Sequence, residues 1–336
     1  MSSFSAAASP RSFGLAALLL LGALAARAQA QISTAQATLL QNAIGARVQA
    51  LTILGGDFGL SDGSFRSSSG GVGPAERNDV ETRVTKIGGD GDVGDPMPLD
   101  DHDIGWQPRF QGNMGYLDSS NHFQSPLLAG DTTELKTFAI EFGGGARFWT
   151  TDHLSFAPTV MGLYGRTDDS YTAQSTFGRQ NLAELRQLGL VDWSVDTWTV
   201  RPALNVQYLI NLGRTIITLS SDPTGFYTHG FSRSNVHLRV GHDSGLVTNK
   251  IDIDIPLGIE LYNHELRGGG YVSRTDLFGD LKTGLDVQHL NEVHGRIVLD
   301  FLNQLWKLQW LGLGASYLWG TNISGWSVGA DVAFRF

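Results

Sequence analysis

From residue 104 onward, apolar and polar positions alternate with a period of two. Trp106, Pro108, Phe110, Gly112, Met114 and Tyr116 fall on one face, and Gln107, Arg109, Gln111 and Asn113 on the other. The alternation returns over 154–164, 204–212, 311–319 and 326–336. Over 251–261, Asp252, Asp254 and Glu260 are interleaved with Ile251, Ile253, Ile255, Leu257, Ile259 and Leu261. A period of two marks β-strands whose faces meet different surroundings. Several runs reach the roughly 9–11 residues of a tilted membrane-spanning strand, against ~5–6 for a strand in a soluble sheet. Aromatic residues stand near run ends, at Trp106, Tyr116, Trp319, Trp326 and Phe336, where a barrel carries its interfacial girdles. Carboxylates within 251–261 are tolerable only if their face meets an aqueous lumen, because charge facing lipid is costly. The pattern predicts an all-β fold, a transmembrane antiparallel β-barrel of about twelve strands, an even number being the rule for such barrels.

Short and long connections alternate. Tight turns are predicted at Thr151-Asp152, Gly213-Arg214, Asn263-His264, Gly279-Asp280, Asn291-Glu292 and Thr321-Asn322, and long polar loops over 118–133, 166–187 and 222–233. Before residue 104 the pattern differs. Over 32–53, Ala37, Leu40, Ile44, Val48 and Leu51 recur at helical spacing behind a Ser33–Gln36 capping pair. An N-terminal helix within 31–58 follows, ended by Gly55-Gly56. Residues 59–103, rich in Gly, Ser and Asp, read as a polar, loop-rich segment with at most one strand, near 80–87. The main part of the barrel is then 104–336.

Residues 1–30 read as an export signal. Arg11 precedes an apolar run over 15–26 too short to span a bilayer, and Ala28-Gln29-Ala30 fits the small-x-small cleavage rule. The chain has no cysteine, which excludes disulfide scaffolds and cysteine metal sites and suits passage through an oxidising periplasm. Without Arg11 and Arg27, 22 of the 24 basic residues remain against 33 acidic ones, a net charge of −11. So acidic a chain is a poor partner for nucleic acid.

Candidate chemistry is sparse. Asp90, Asp92, Asp95, Asp100, Asp101 and Asp103 form the densest carboxylate cluster, yet Gly94 and Asp95 break the calcium-loop pattern and its bidentate Glu is missing. Asp101-His102-Asp103 would place a base beside carboxylates, but neighbours in a loop are poorly preorganised. Ser244, in Gly241-His-Asp-Ser-Gly245, lies between strand patterns rather than on the strand–turn–helix of a nucleophile elbow, and reads as a loop serine. No catalytic residue, metal site or cofactor is expected, and the chain is read as a non-enzyme. Asp252, Asp254 and Glu260 are the candidate pore-lining acids. Arg47 of the N-terminal helix is their candidate counter-charge if that helix fills the lumen.

The final decapeptide, Ser327 to Phe336, resembles the C-terminal strand signature of outer-membrane proteins. That resemblance makes Phe336, Phe334 and Val332 the expected signal to the barrel-insertion machinery. A helix followed by about twelve strands is similar to autotransporter β-domains, and most of all to the solitary autotransporter-like barrels. The resemblance implies an outer-membrane location in a Gram-negative bacterium, contact with membrane lipid and lipopolysaccharide, a lumenal helix, and a structural or translocator role. No small-molecule substrate is implied. A secreted passenger has no room between Ala30 and the barrel, so none is expected. Two other functions stay open: a passive, weakly cation-selective porin, and an outer-membrane hydrolase with its site on the external loops.

Overall fold

The structure, a computed structural model, describes residues 46, 48–50, 54, 59–67, 80–94, 97–98, 105–122, 129–187, 189–234, 240–305 and 308–334. The strands are β1 (Leu60–Ser67), β2 (Val80–Asp92), β3 (Met97–Pro98), β4 (Gly105–His122), β5 (Thr132–Trp149), β6 (Leu154–Thr172), β7 (Ser194–Leu212), β8 (Thr215–Arg233), β9 (Gly241–Leu261), β10 (His264–Phe278), β11 (His289–Leu305), β12 (Leu308–Gly320) and β13 (Ile323–Phe334). Two helices, α1 (Thr176–Gln187) and α2 (Gly279–Leu285), follow β6 and β10.

Each strand pairs antiparallel with its neighbours, β1 with β13 and β2 with β4, so twelve strands close into a ring and β3 extends the pairing along β4. Closure leaves no open sheet edge along the ring, the condition for strands to cross lipid. No helix among the described residues is long and apolar enough to cross a membrane; the strands do it. Along β6 every second residue from Leu154 to Tyr164 is exposed, and Ser155, Ala157, Thr159, Met161 and Leu163 between them are buried. The exposed set, with Phe142, Ile251, Ile253, Ile255 and Leu313, makes the lipid-facing surface.

The bend at 150–153 and the turns at Gly213-Arg214 and Tyr262-Asn263 are short and lie at one end. Tyr262 and Asn263 both have positive φ (53° and 63°), the twist a two-residue hairpin requires. Longer connections, including both helices, lie at the opposite end, which by barrel habit is the external one.

The segment 59–103 differs from the expectation of at most one strand: β1 and β2 are both ring strands. The cause is local. Outward-facing Asp62, Ser64 and Arg66 give β1 no apolar face, and Asp62 is instead held by Arg83 (2.9 Å) and Thr85 (2.9 Å) of β2. Inward-facing Gly63 lies so close to β13 that a Cβ there would stand 2.9 Å from Ser327 Cβ.

Three other expectations are corrected. Gly279-Asp280 opens α2 rather than forming a tight turn, Asn291-Glu292 lies inside β11, and the polar stretch 222–233 is the external half of β8. In that stretch the inner face carries apolar Phe226 beside Thr228 while the outer face carries Gly225 and His229, so the alternation fades. The turns at Gly213-Arg214 and 321–322 and the strand pattern from 105 onward are as expected.

Candidate functional site

The lumen has two halves of different chemistry. In the external half, helical residues Ala46, Val48, Gln49 and Ala50, followed by Leu54, are all buried among barrel strands. Val48 packs on Gly165 of β6, where a Cβ would come within 2.5 Å of Val48 Cγ1. Gly165 and Thr197 thus leave the recess that admits the helix. Gln49 Nε2 donates to Thr228 Oγ1 of β8 (2.8 Å), while Ser244 Oγ of β9 donates to Gln49 Oε1 (2.6 Å). A buried carboxamide left unbonded would be costly, so these two contacts fix where along the lumen the helix rests. Around them lie Phe65, Val84, Leu117, Ala139, Leu163, Phe226 and Leu246, joined by Leu281 and Val287 from the β10–β11 connection and Leu290 of β11. A second cluster, Leu135, Trp193, Val195 and Val240, lies among β5, β7 and the chain entering β9.

The periplasmic half is polar and ionic. Arg147 donates to Asp92 (2.8 Å), Ser155 (2.9 Å) and Gln207 (2.6 Å), and Arg109 pairs with both Asp90 and Asp92. Glu141 joins Arg201 (2.5 Å) to Asn113 (2.9 Å). On the other wall Arg296 holds Asp252 through two bonds (2.9 and 2.7 Å), and Arg267 holds Asp254 (2.7 Å) and Glu265 (3.2 Å). Tyr271 is flanked by Lys250, 5.2 Å from its ring centre, and by a stacked His294 at 4.6 Å. Desolvating a charge costs less when a partner shares the site, and here both walls carry their own counter-ions.

Outside the membrane, the loop that carries α1 is tied down by Asp131. Its buried carboxylate accepts bonds from the Ser175 amide (2.5 Å) and hydroxyl (2.7 Å), the Gln174 amide (2.6 Å) and the Tyr171 hydroxyl (2.5 Å). Burial pushes the Asp131 carboxyl up, but these four donors outweigh it and hold its pKa below the usual carboxylate value.

The family model for the solitary outer membrane autotransporter beta-barrel domain matches residues 96–329. The chain belongs to that family. Its place is therefore the outer membrane of a Gram-negative bacterium. No curated protein sequence matches it. Among solved structures, the β-domain of the Bordetella autotransporter BrkA aligns at 17% identity over 83% of this chain and 99% of that one, with a TM-score of 0.51. The transport unit of the Escherichia coli autotransporter AIDA-I aligns at 9% identity over 87% and 99%, with a TM-score of 0.52. At these identities the likeness is one of fold.

Within this autotransporter-type barrel, the sequence-selected residues separate. Asp252 and Asp254 do face the lumen but are bound to Arg296 and Arg267 of their own wall, 44 and 13 residues away in sequence. Glu260 is exposed near the β9–β10 turn, paired in register with Glu265. Arg47 lies outside the described residues, as do Phe336, the Asp101-His102-Asp103 triplet and the 1–30 segment. Val332 and Phe334 pair through their backbones with Leu311 and Leu308 of β12. Asp90 and Asp92 sit on a strand and bind arginine rather than forming a loop cluster. Ser244 is a β9 strand residue spent on Gln49. Gln49, Thr228 and Gly165 were not selected from sequence. Gln49 is one polar residue between Val48 and Ala50, and nothing local reveals that its partners lie 179 and 195 residues on.

Proposed function

We propose that this barrel is a closed conduit of the outer membrane whose resting state is held by its own N-terminal helix. The observation that carries the reading is the pair of hydrogen bonds that join Gln49 to Thr228 and Ser244 inside the lumen. A passive porin needs a permanently open lumen; the buried helix residues and the apolar cluster around them argue for a plugged or gated one. Movement through the barrel then requires that the helix leave Gly165 and that the Gln49 bonds break. The self-neutralised walls below offer a polar path with little preference for either sign of charge. The terminal strand, with Phe334 and Phe336, fits the role of an address for barrel insertion, and the exposed ion pairs Arg166–Asp168 and Arg274–Asp276 on the external parts of β6 and β10 fit a contact with lipopolysaccharide.

The experiment is a thiol cross-link. The chain has no cysteine of its own, so Gln49→Cys with Ser244→Cys gives a unique pair. The length of the Gln49 side chain keeps the two Cβ atoms beyond direct disulfide reach, so in intact outer membranes a short bis-methanethiosulfonate reagent should bridge the pair into a mobility-shifted species that reduction reverses. A Gln49→Cys partner on the outward position Ile253 should not. Absence of the first cross-link in correctly inserted barrels contradicts a lumenal Gln49.

A further inference from the structure

The β10–β11 connection turns inward rather than away from the barrel. Leu281 of α2 and Val287 just after it are almost fully buried (0% and 1% exposed), in the same apolar cluster as Ala46, Val48 and Ala50. The excursion is short and closed at its base, where the Leu277 amide donates to the Gln288 carbonyl (2.9 Å). It crosses over the start of β9: Gly279 forms a bridge with Ser244, and with φ of +63° a Cβ there would stand 2.7 Å from the Asp243 carbonyl oxygen. It is also held by the next hairpin round the mouth. Asn322, in the β12–β13 turn, donates through Nδ2 to the Asp286 carbonyl (3.1 Å) and carboxylate (3.2 Å). Asp286 itself has positive φ (52°) and ends α2 in the left-handed conformation.

We propose that α2 is a second closure of the conduit, a lid over the external mouth latched by Asn322 to Asp286, separate from the helix plug and meeting it at Ser244. The proposal rests on the closed-conduit reading above. Burying Leu281 and Val287 stabilises the inward position of this connection, which is longer than the two-residue turn that suffices to join β9 to β10 at the other end. The lid has a polar latch and a small apolar underside, the features of parts of a fold that open before the rest. Ser244 makes the two closures neighbours: its hydroxyl holds Gln49 and its backbone bridges Gly279. Release of the helix removes one wall of the cluster into which Leu281 is packed, and release of the lid uncovers the helix from outside.

Two readouts on the full chain test this. First, Leu281→Cys is labelled from outside with a membrane-impermeant maleimide. Labelling should be slow in the otherwise native barrel and faster by about tenfold with Asn322→Ala, the change expected when the latch's hydrogen bonds are lost. Equal rates overturn the latch. Second, Asp286→Cys with Asn322→Cys is placed in a Gly165→Val chain, whose helix is expelled from its recess, and single channels are recorded. Open time should fall by about tenfold on oxidation, when the latch can no longer open, and return with dithiothreitol. Open time indifferent to redox state overturns the lid. Failure of the closed-conduit reading would look different: Gln49→Cys would not cross-link to Ser244→Cys in inserted barrels, and the Leu281→Cys labelling would still decide whether the lid exists.

Discussion

Ser244 Oγ donates a 2.6 Å hydrogen bond to Gln49 Oε1, tying the ninth strand to a helix 195 residues earlier in the chain. With the bond from Gln49 to Thr228, it makes the helix a docked part of the barrel rather than a segment passing through it.

Replacing Gln49 with Leu should weaken docking without filling or emptying space. Buried Thr228 and half-buried Ser244 lose their bond, although Thr228 keeps its contact with Thr199 (2.8 Å). The cost is about 1–3 kcal/mol. The barrel should still show heat-modifiable migration in SDS, while residues 46–54 become susceptible to protease added from the lumenal side.

Gly165→Val acts on the same contact from the wall. The new side chain would occupy the place of Val48 Cγ1, and β6 tolerates valine in strand geometry, so the strain falls on the helix. Gly162→Ala is the control, since its Cβ meets nothing nearer than 3.8 Å. Protection of residues 46–54 from hydrogen exchange should drop for Gly165→Val and hold for Gly162→Ala.

Ion selectivity should report the arginines, not the acids. Asp252 and Asp331 share Arg296, and Asp254 shares Arg267 with Glu265. In an opened barrel, Arg296→Ala releases two carboxylates and should move the reversal potential towards cation preference. Asp252→Asn should move it the other way. Because these groups face a polar vestibule, the stability cost of Arg296→Ala should be below the roughly 3–5 kcal/mol of a fully buried broken pair.

The loop bearing α1 should be acid-labile. Asp131 has its pKa lowered in the fold, so its contribution is present above the unfolded value near 3.9 and is lost as pH falls through the folded one. Protease accessibility of 173–193 should therefore rise only in strong acid. Asp131→Ala, which orphans four donors, should expose the loop at neutral pH.

What could be read from the sequence follows what each residue had to satisfy. Strands from 105 on show their alternation because lipid demands apolar side chains on one face, and 251–261 shows even its lumenal acids. β1 hid because Asp62, Ser64 and Arg66 face outward beside Arg83, where an ion pair stands in for an apolar stripe. β8 past 222 hid because Phe226 faces the lumenal cluster and Gly225 and His229 face outward, which breaks the apolar–polar period. The site was the least legible part. Asp252 could be placed in the lumen by period alone, but its pairing with Arg296 depends on the registers of β9, β10 and β11 together. Gln49 and Ser244 carry no local mark of their meeting.

The central claim is that the barrel rests closed on its own helix, and single-channel recording tests it most directly. The refolded full-length protein in a planar bilayer should be silent or nearly so, and Gly165→Val should give discrete openings. Steady conductance from the wild-type chain, unchanged by Gly165→Val, would contradict it.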